Sequence, residues 1–174
     1  MHFQGSMLNP VTIQNPSPAS NPVIVPRGKF RRARWTAAQR ARVLTRPRAR
    51  VLVAESDARS RKRLTAALQL RGYEVVQQRS GKTLLSFLGR NLARHRRPPI
   101  DVMVLDGRLP GADGVAVLAA LRRIGWEVPV IMLMGAEDET LHTRAREMGA
   151  AAVVDRPVDA DTVARYVADI EPPM

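Results

Sequence analysis

From Arg50 onward the hydrophobic and polar positions follow two alternating rhythms. Short aliphatic, β-branched runs read as strands: RVLVA (50–54), YEVVQ (73–77), DVMVLD (101–106), VPVIMLM (128–134) and AAVVD (151–155). Between and after them, apolar residues space out to a helical period near 58–71, 81–95, 114–124, 138–148 and 159–169. Strands alternating with helices of this length build β-α-β units on a parallel sheet. The central runs are apolar throughout, as strands must be when helices cover both faces. The pattern predicts an α/β domain over residues 50–171: a doubly wound, five-stranded parallel sheet, (β/α)5. Such folds bind ligands at the carboxyl ends of the strands, where the strand order switches direction.

The sequence before Arg50 has no such rhythm. Residues 1–6, MHFQGS, read as a tag remnant, with Met7 as the expected native start. Residues 7–49 form a basic, Pro-rich arm whose first part, LNPVTIQNPSPASNPVIVPRG, has too little apolar surface to offset the ordering of its chain. This arm is predicted to be mostly disordered. One exception is a short helix near 36–45, opened by the capping-box pattern Thr36-Ala37-Ala38-Gln39 and stopped before Pro47.

Charge sharpens this division. The chain carries a formal +12, yet residues 1–49 hold nine basic side chains and no acidic one. A clustered basic block attracts polyanions through counterion release and needs no base-reading residue. Arg31, Arg32, Arg34, Arg40 and Arg42 are the candidate nucleic-acid contacts, with DNA as the partner of the arm. A second run, Arg90, Arg94, Arg96 and Arg97 around His95, reads as a solvated helix end. Cysteine is absent, which removes disulfides and thiolate nucleophiles. No apolar run approaches the roughly 20 residues that span a bilayer, and no secretory signal is visible. A cytoplasmic protein with no membrane partner is expected.

The candidate chemistry centres on VLDGRLPGADG (104–114), where an apolar strand delivers Asp106 into a Gly/Pro loop. Together with PVIML in the fourth strand, and Gly-Ala leading to Arg156-Pro157 after the fifth, this stretch resembles the receiver domain of two-component response regulators. The resemblance covers residues 50–170 and implies a flavodoxin-like sheet of order 2-1-3-4-5. It makes Asp106 the phosphoacceptor position, served by a histidine kinase. In that family a pair of acids after strand one helps hold Mg2+, a Thr or Ser ends strand four, a Lys ends strand five, and an aromatic residue in strand five acts as a switch. The implied metal set here is weak: Glu55, Asp57, Asp106 and Arg108, with Mg2+ as the implied cofactor and no other.

Four positions depart from the family. Ser56 replaces the second acid, Met134 the hydroxyl residue, Arg156 the lysine and Val153 the aromatic. Each change has a physical consequence. A neutral hydroxyl contributes less than a carboxylate to a site that binds Mg2+ by charge. A thioether donates no proton to a phosphoryl oxygen. A planar guanidinium is not a compact ammonium, and Arg156 is expected to pair with Asp106 or Glu55.

The reading is therefore an atypical receiver, or pseudo-receiver. It would act in bacterial signal transduction or transcription control through protein–protein contacts, without regulated phosphorylation. The partners expected are a histidine kinase or other regulatory protein, or a second copy bound through the fourth and fifth helices. Two alternatives stand beside it: an orthodox receiver phosphorylated on Asp106 with Mg2+, and a nucleic-acid-binding regulator using the arm. An enzyme is disfavoured because no nucleophile–base pair or phosphate-cradling glycine loop is present.

Overall fold

In the computed structural model, residues 48–92 and 100–173 are described. The tag remnant, the arm with its helix near 36–45, its five candidate arginines, and residues 93–99 lie outside them. Strands β1 (Arg50–Ala54), β2 (Glu74–Gln78), β3 (Val102–Asp106), β4 (Val130–Gly135) and β5 (Ala152–Arg156) form one parallel sheet. Its order is β2-β1-β3-β4-β5. Helices α1 (Ala58–Leu70), α2 (Gly81–Leu92), α3 (Gly114–Arg123), α4 (Glu139–Glu147) and α5 (Ala160–Ile170) connect and follow the strands. The predicted (β/α)5 fold and its strand order are those observed, and each strand boundary lies within two residues of its expected place.

Helix starts follow from local chemistry. Asp57, Asp113 and Asp159 each accept a backbone N–H from the first turn of α1, α3 and α5. Such a cap contributes about 1 kcal/mol by satisfying a donor that the helix itself leaves free. One turn is tighter: Arg108–Leu109 and Ala112–Asp113 pair as a small antiparallel ribbon. Gly111 closes it at φ 80°, a left-handed conformation that side-chain-bearing residues rarely adopt. At its end, Gly114 donates its N–H to the Gly107 carbonyl, and a Cβ at Gly114 would collide with the Asp106 carbonyl oxygen. The acceptor loop is thus packed directly against the start of α3.

The sheet separates two apolar layers, and the period of two along each strand decides which side chain joins which. Val51, Val53, Val102, Val104, Ile131, Leu133 and Val154 pack toward α1 and α5. Leu52, Met103, Leu105, Val130, Met132, Met134 and Val153 pack toward α2, α3 and α4. Each fully buried aliphatic side chain contributes about 1.5–3 kcal/mol. Leu141 and Val163, expected in the core, pack there partly and fully, respectively. The same alternation, carried one residue past the apolar runs, puts Glu55, Asp106 and Arg156 together on the α1/α5 side of the carboxyl rim. Met134 goes to the opposite side.

Candidate functional site

A cavity of about 800 Å3 opens at the carboxyl ends of the strands. Its floor is a triad at the ends of three strands, two buried acids and a half-buried arginine. Glu55 is 1% exposed, and its Oε2 accepts hydrogen bonds from the Arg156 guanidinium and, at 3.0 Å, from the Ser60 hydroxyl. Its Oε1 accepts the Asp57 N–H at 2.9 Å. Asp106 is 9% exposed; its Oδ1 accepts the Arg108 N–H at 3.0 Å, and its Oδ2 lies 3.6 Å from Arg156 Nη2. One guanidinium nitrogen therefore faces two buried carboxylates, bonded to Glu55 and in ion-pair range of Asp106, as expected of Arg156.

Burial pushes the Asp106 carboxyl above its usual pKa range, and the nearby Glu55 carboxylate adds to that push. The Arg108 N–H and the Arg156 charge oppose it without cancelling it. Removing charge from water outweighs the one cation close by.

The remaining expected positions fall into place around this triad. Asp57 is exposed, and its Oδ1 caps α1 through the Ser60 N–H at 2.7 Å, so it is engaged at the helix start. Ser56 is half-buried and lines the same cavity. The Arg108 side chain leaves the triad and reaches Asp138 at 2.7 Å across the cavity mouth. Met134 is buried in the α3/α4 layer with Val153, and its Cγ and Cε lie against Gly107 beside the acceptor. In place of a hydroxyl and a movable ring, this corner holds a thioether and an isopropyl group in one apolar cluster.

Two contributors were not anticipated. Asp138 gives its carboxylate to Arg108 and makes no cap bond to α4. Arg61 donates to the carbonyls of Glu55 and Ser56 at 2.8 and 3.1 Å, tying α1 to the loop that carries the buried acid. The cue for Arg61 lay in its position one turn into α1, although a basic residue there ordinarily reads as solvated.

The donor set does not fit Mg2+ as arranged. That ion demands near-octahedral oxygen ligation and is usually held by one or two carboxylates plus waters. Here both Glu55 oxygens have protein donors, Asp57 caps a helix, and a guanidinium faces both Glu55 and Asp106. Among the described residues, no group of three or more His, Asp or Glu side chains is placed to hold a metal.

A (β/α)5 sheet with a buried acid ending its third strand, flanked by an acid from the first and a cation from the fifth, defines a receiver-type signalling domain. Residues 51–168 match the response regulator receiver domain family, and the chain belongs to it. It is similar to the transcriptional regulatory protein KdpE of Mycobacterium tuberculosis, 35% identical over 112 residues that cover 64% of this chain and 46% of that one. It is also similar to SphR, an alkaline phosphatase synthesis transcriptional regulatory protein of Synechococcus elongatus, with 32% identity covering 64% and 44%. The chain thus spans less than half the length of these regulators. Protein PilH of Pseudomonas aeruginosa is 27% identical over 68% of this chain and 94% of its own. Among solved structures, a Francisella response regulator receiver domain superposes with a TM-score of 0.61 at 23% identity, covering 70% of this chain and 95% of that one. That likeness shows the fold.

Proposed function

We propose that this domain is an atypical receiver that works in signal transduction or transcription regulation through protein–protein interaction, independently of phosphorylation. The observation that carries the reading is Arg156, whose guanidinium is bonded to Glu55 and faces Asp106 at 3.6 Å. An incoming phosphoryl group and its divalent ion would have to displace a charge already bonded to a fully buried acid. Met134 and Val153 support the same reading, because neither can follow a phosphoryl oxygen with a hydrogen bond or a ring movement. The partner is a histidine kinase or other regulatory protein, or a second copy docked through α4 and α5, in the cytoplasm.

The test is intact-mass measurement after incubation with acetyl phosphate and Mg2+. No adduct is expected on the unmodified chain. The triple variant Ser56→Asp/Met134→Thr/Arg156→Lys, which reinstates the family's residues, is expected to gain one adduct that Asp106→Asn removes. A stoichiometric adduct on the unmodified chain, lost in Asp106→Asn, would replace this reading with the orthodox receiver that uses Mg2+. That second reading draws support from the acceptor loop, whose ribbon and Gly114 contact keep Asp106 at the cavity floor.

A further inference from the structure

We infer that the folded domain itself, and not the arm alone, carries a surface for the phosphate backbone of nucleic acid, formed by α1 and the β2–α2 corner. The starting point is a division of charge. Residues 48–92 hold ten basic and three acidic side chains, whereas residues 100–173 hold seven basic and thirteen acidic. All three acids of the first group are engaged: Glu55 with Arg156, Asp57 as the cap of α1, and Glu74 with Arg50 at 2.6 Å.

Some cations of this region have structural work. Arg61 holds two carbonyls, and Arg71 pairs with Asp161 at 2.8 Å. Arg59, Lys62, Arg63, Arg79, Lys82 and Arg90 are exposed, and no carboxylate among the described residues pairs with them. The segments outside the described residues contain no Asp or Glu, so they supply no acidic side chain either. Arg59 in α1 and Lys82 in α2 also lie in first turns that hold no acid, where the helix dipole opposes a positive charge. By contrast, α4 and α5 place Glu139 and Asp161 in their first turns, as the dipole favours.

The topology brings five of these cations, Arg59, Lys62, Arg63, Arg79 and Lys82, toward the carboxyl rim, while Arg90 lies in the last turn of α2. Gln78 pairs with Ala54 and accepts the Glu55 N–H, so the end of β2 lies beside the start of α1. Arg79 follows Gln78 directly, and Lys82 opens α2. On α1, positions 59, 62 and 63 share one exposed face. The exposed acids of residues 48–92 are Asp57, engaged as the cap of α1, and Glu74, paired with Arg50, so the excess charge here is of one sign and suits a polyanion. The basic arm joins the domain at Arg48, at the amino end of β1.

The experiment measures binding of the full chain to a fluorescent DNA duplex of arbitrary sequence, by anisotropy across a salt series. Each lost phosphate contact lowers the slope of log K against log salt by about 0.9. The variant Arg59→Gln/Lys62→Gln/Arg63→Gln/Arg79→Gln/Lys82→Gln is expected to lower the slope by about 3 to 5 and weaken binding at least about tenfold at low salt. Arg79→Gln/Lys82→Gln alone is expected to lower it by about 1 to 2. Among the described residues these side chains have no hydrogen-bond or ion-pair partner, so both variants are expected to unfold at the temperature of the parent. Equal slopes for parent and variants would assign binding to the arm and overturn the inference. So would failure of the parent to bind, or loss in the variants of a DNA-independent self-association while duplex binding stays unchanged.

Discussion

The two rims of the sheet each hold a partly buried arginine, and the two are satisfied by different chemistry. At the amino rim, Arg122 donates to the carbonyls of Trp126, Val128 and Gly149 at 2.7, 3.0 and 3.0 Å. It staples the turn before β4 to the turn before β5, and burial lowers its pKa from the usual value. At the carboxyl rim, Arg156 faces Glu55 and Asp106. Arg122 has one carboxylate near it, Glu127 at 3.9 Å, so its role is chiefly that of a scaffold on carbonyl dipoles and depends little on acid. A guanidinium bonded to carboxylates changes its surroundings with every proton they take up. The same residue type thus serves as a fixed staple at one end of the strands and as an electrostatic plug at the other.

Three substitutions sharpen or break this contrast. The largest effect is expected from Arg156→Ala, which strands two buried carboxylates and should lower stability by about 3 kcal/mol in urea unfolding at pH 7. That loss should shrink as the pH falls and Asp106, whose pKa burial raises, becomes neutral. A loss that stays constant down to pH 4 would show that Arg156 acts by packing alone. Arg122→Met comes next, at about 2 kcal/mol, because three carbonyls lose a charged donor but retain access to water. With only the half-exposed Glu127 near it at 3.9 Å, its cost should vary much less over the same pH range than that of Arg156→Ala, and an equal dependence would erase the distinction between the rims.

The smallest effect is expected from Asp106→Asn, and its sign follows from linkage. The carboxyl pKa is raised in the folded state. The folded chain therefore holds this proton more tightly than the unfolded chain, and stability falls as pH rises through the folded value. Removing the charge should stabilise the domain at pH 7. The gain should fade on acidification toward the ordinary carboxyl range, as read from unfolding midpoints across pH. A destabilised Asn variant at neutral pH would mean that Asp106 and Arg156 bind each other more strongly than burial opposes the charge.

The acceptor region was the most legible part of the site. Asp106, the Pro110-Gly111 turn and Gly114 belong to one contiguous stretch, so a local pattern exposes them. Glu55 and Arg156 were legible only as positions. Their bond joins residues 101 apart in the chain, and nothing local says whether the guanidinium turns to Glu55, to Asp106 or outward. Asp57 shows the opposite limit. Its carboxylate suits a metal in composition, yet helix capping is a nearer, stronger local demand, and Ser60 three residues later donates its N–H to it. The link from Arg108 to Asp138 was not legible at all, because it spans two loops whose separation depends on how β3 and β4 sit side by side.

What the chain determined unaided was periodicity: continuous aliphatic runs bury on both faces, amphipathic stretches bury on one, and their alternation leaves a parallel sheet with acids at its carboxyl rim. Those are preferences of each segment for water or for apolar neighbours, and they act over a few residues. Tertiary structure alone decided which charges meet. Charge pairing depends on distances of a few ångströms between side chains from different strands, and those distances exist only after the sheet order and the packing of α1 against β1 have brought the rim together.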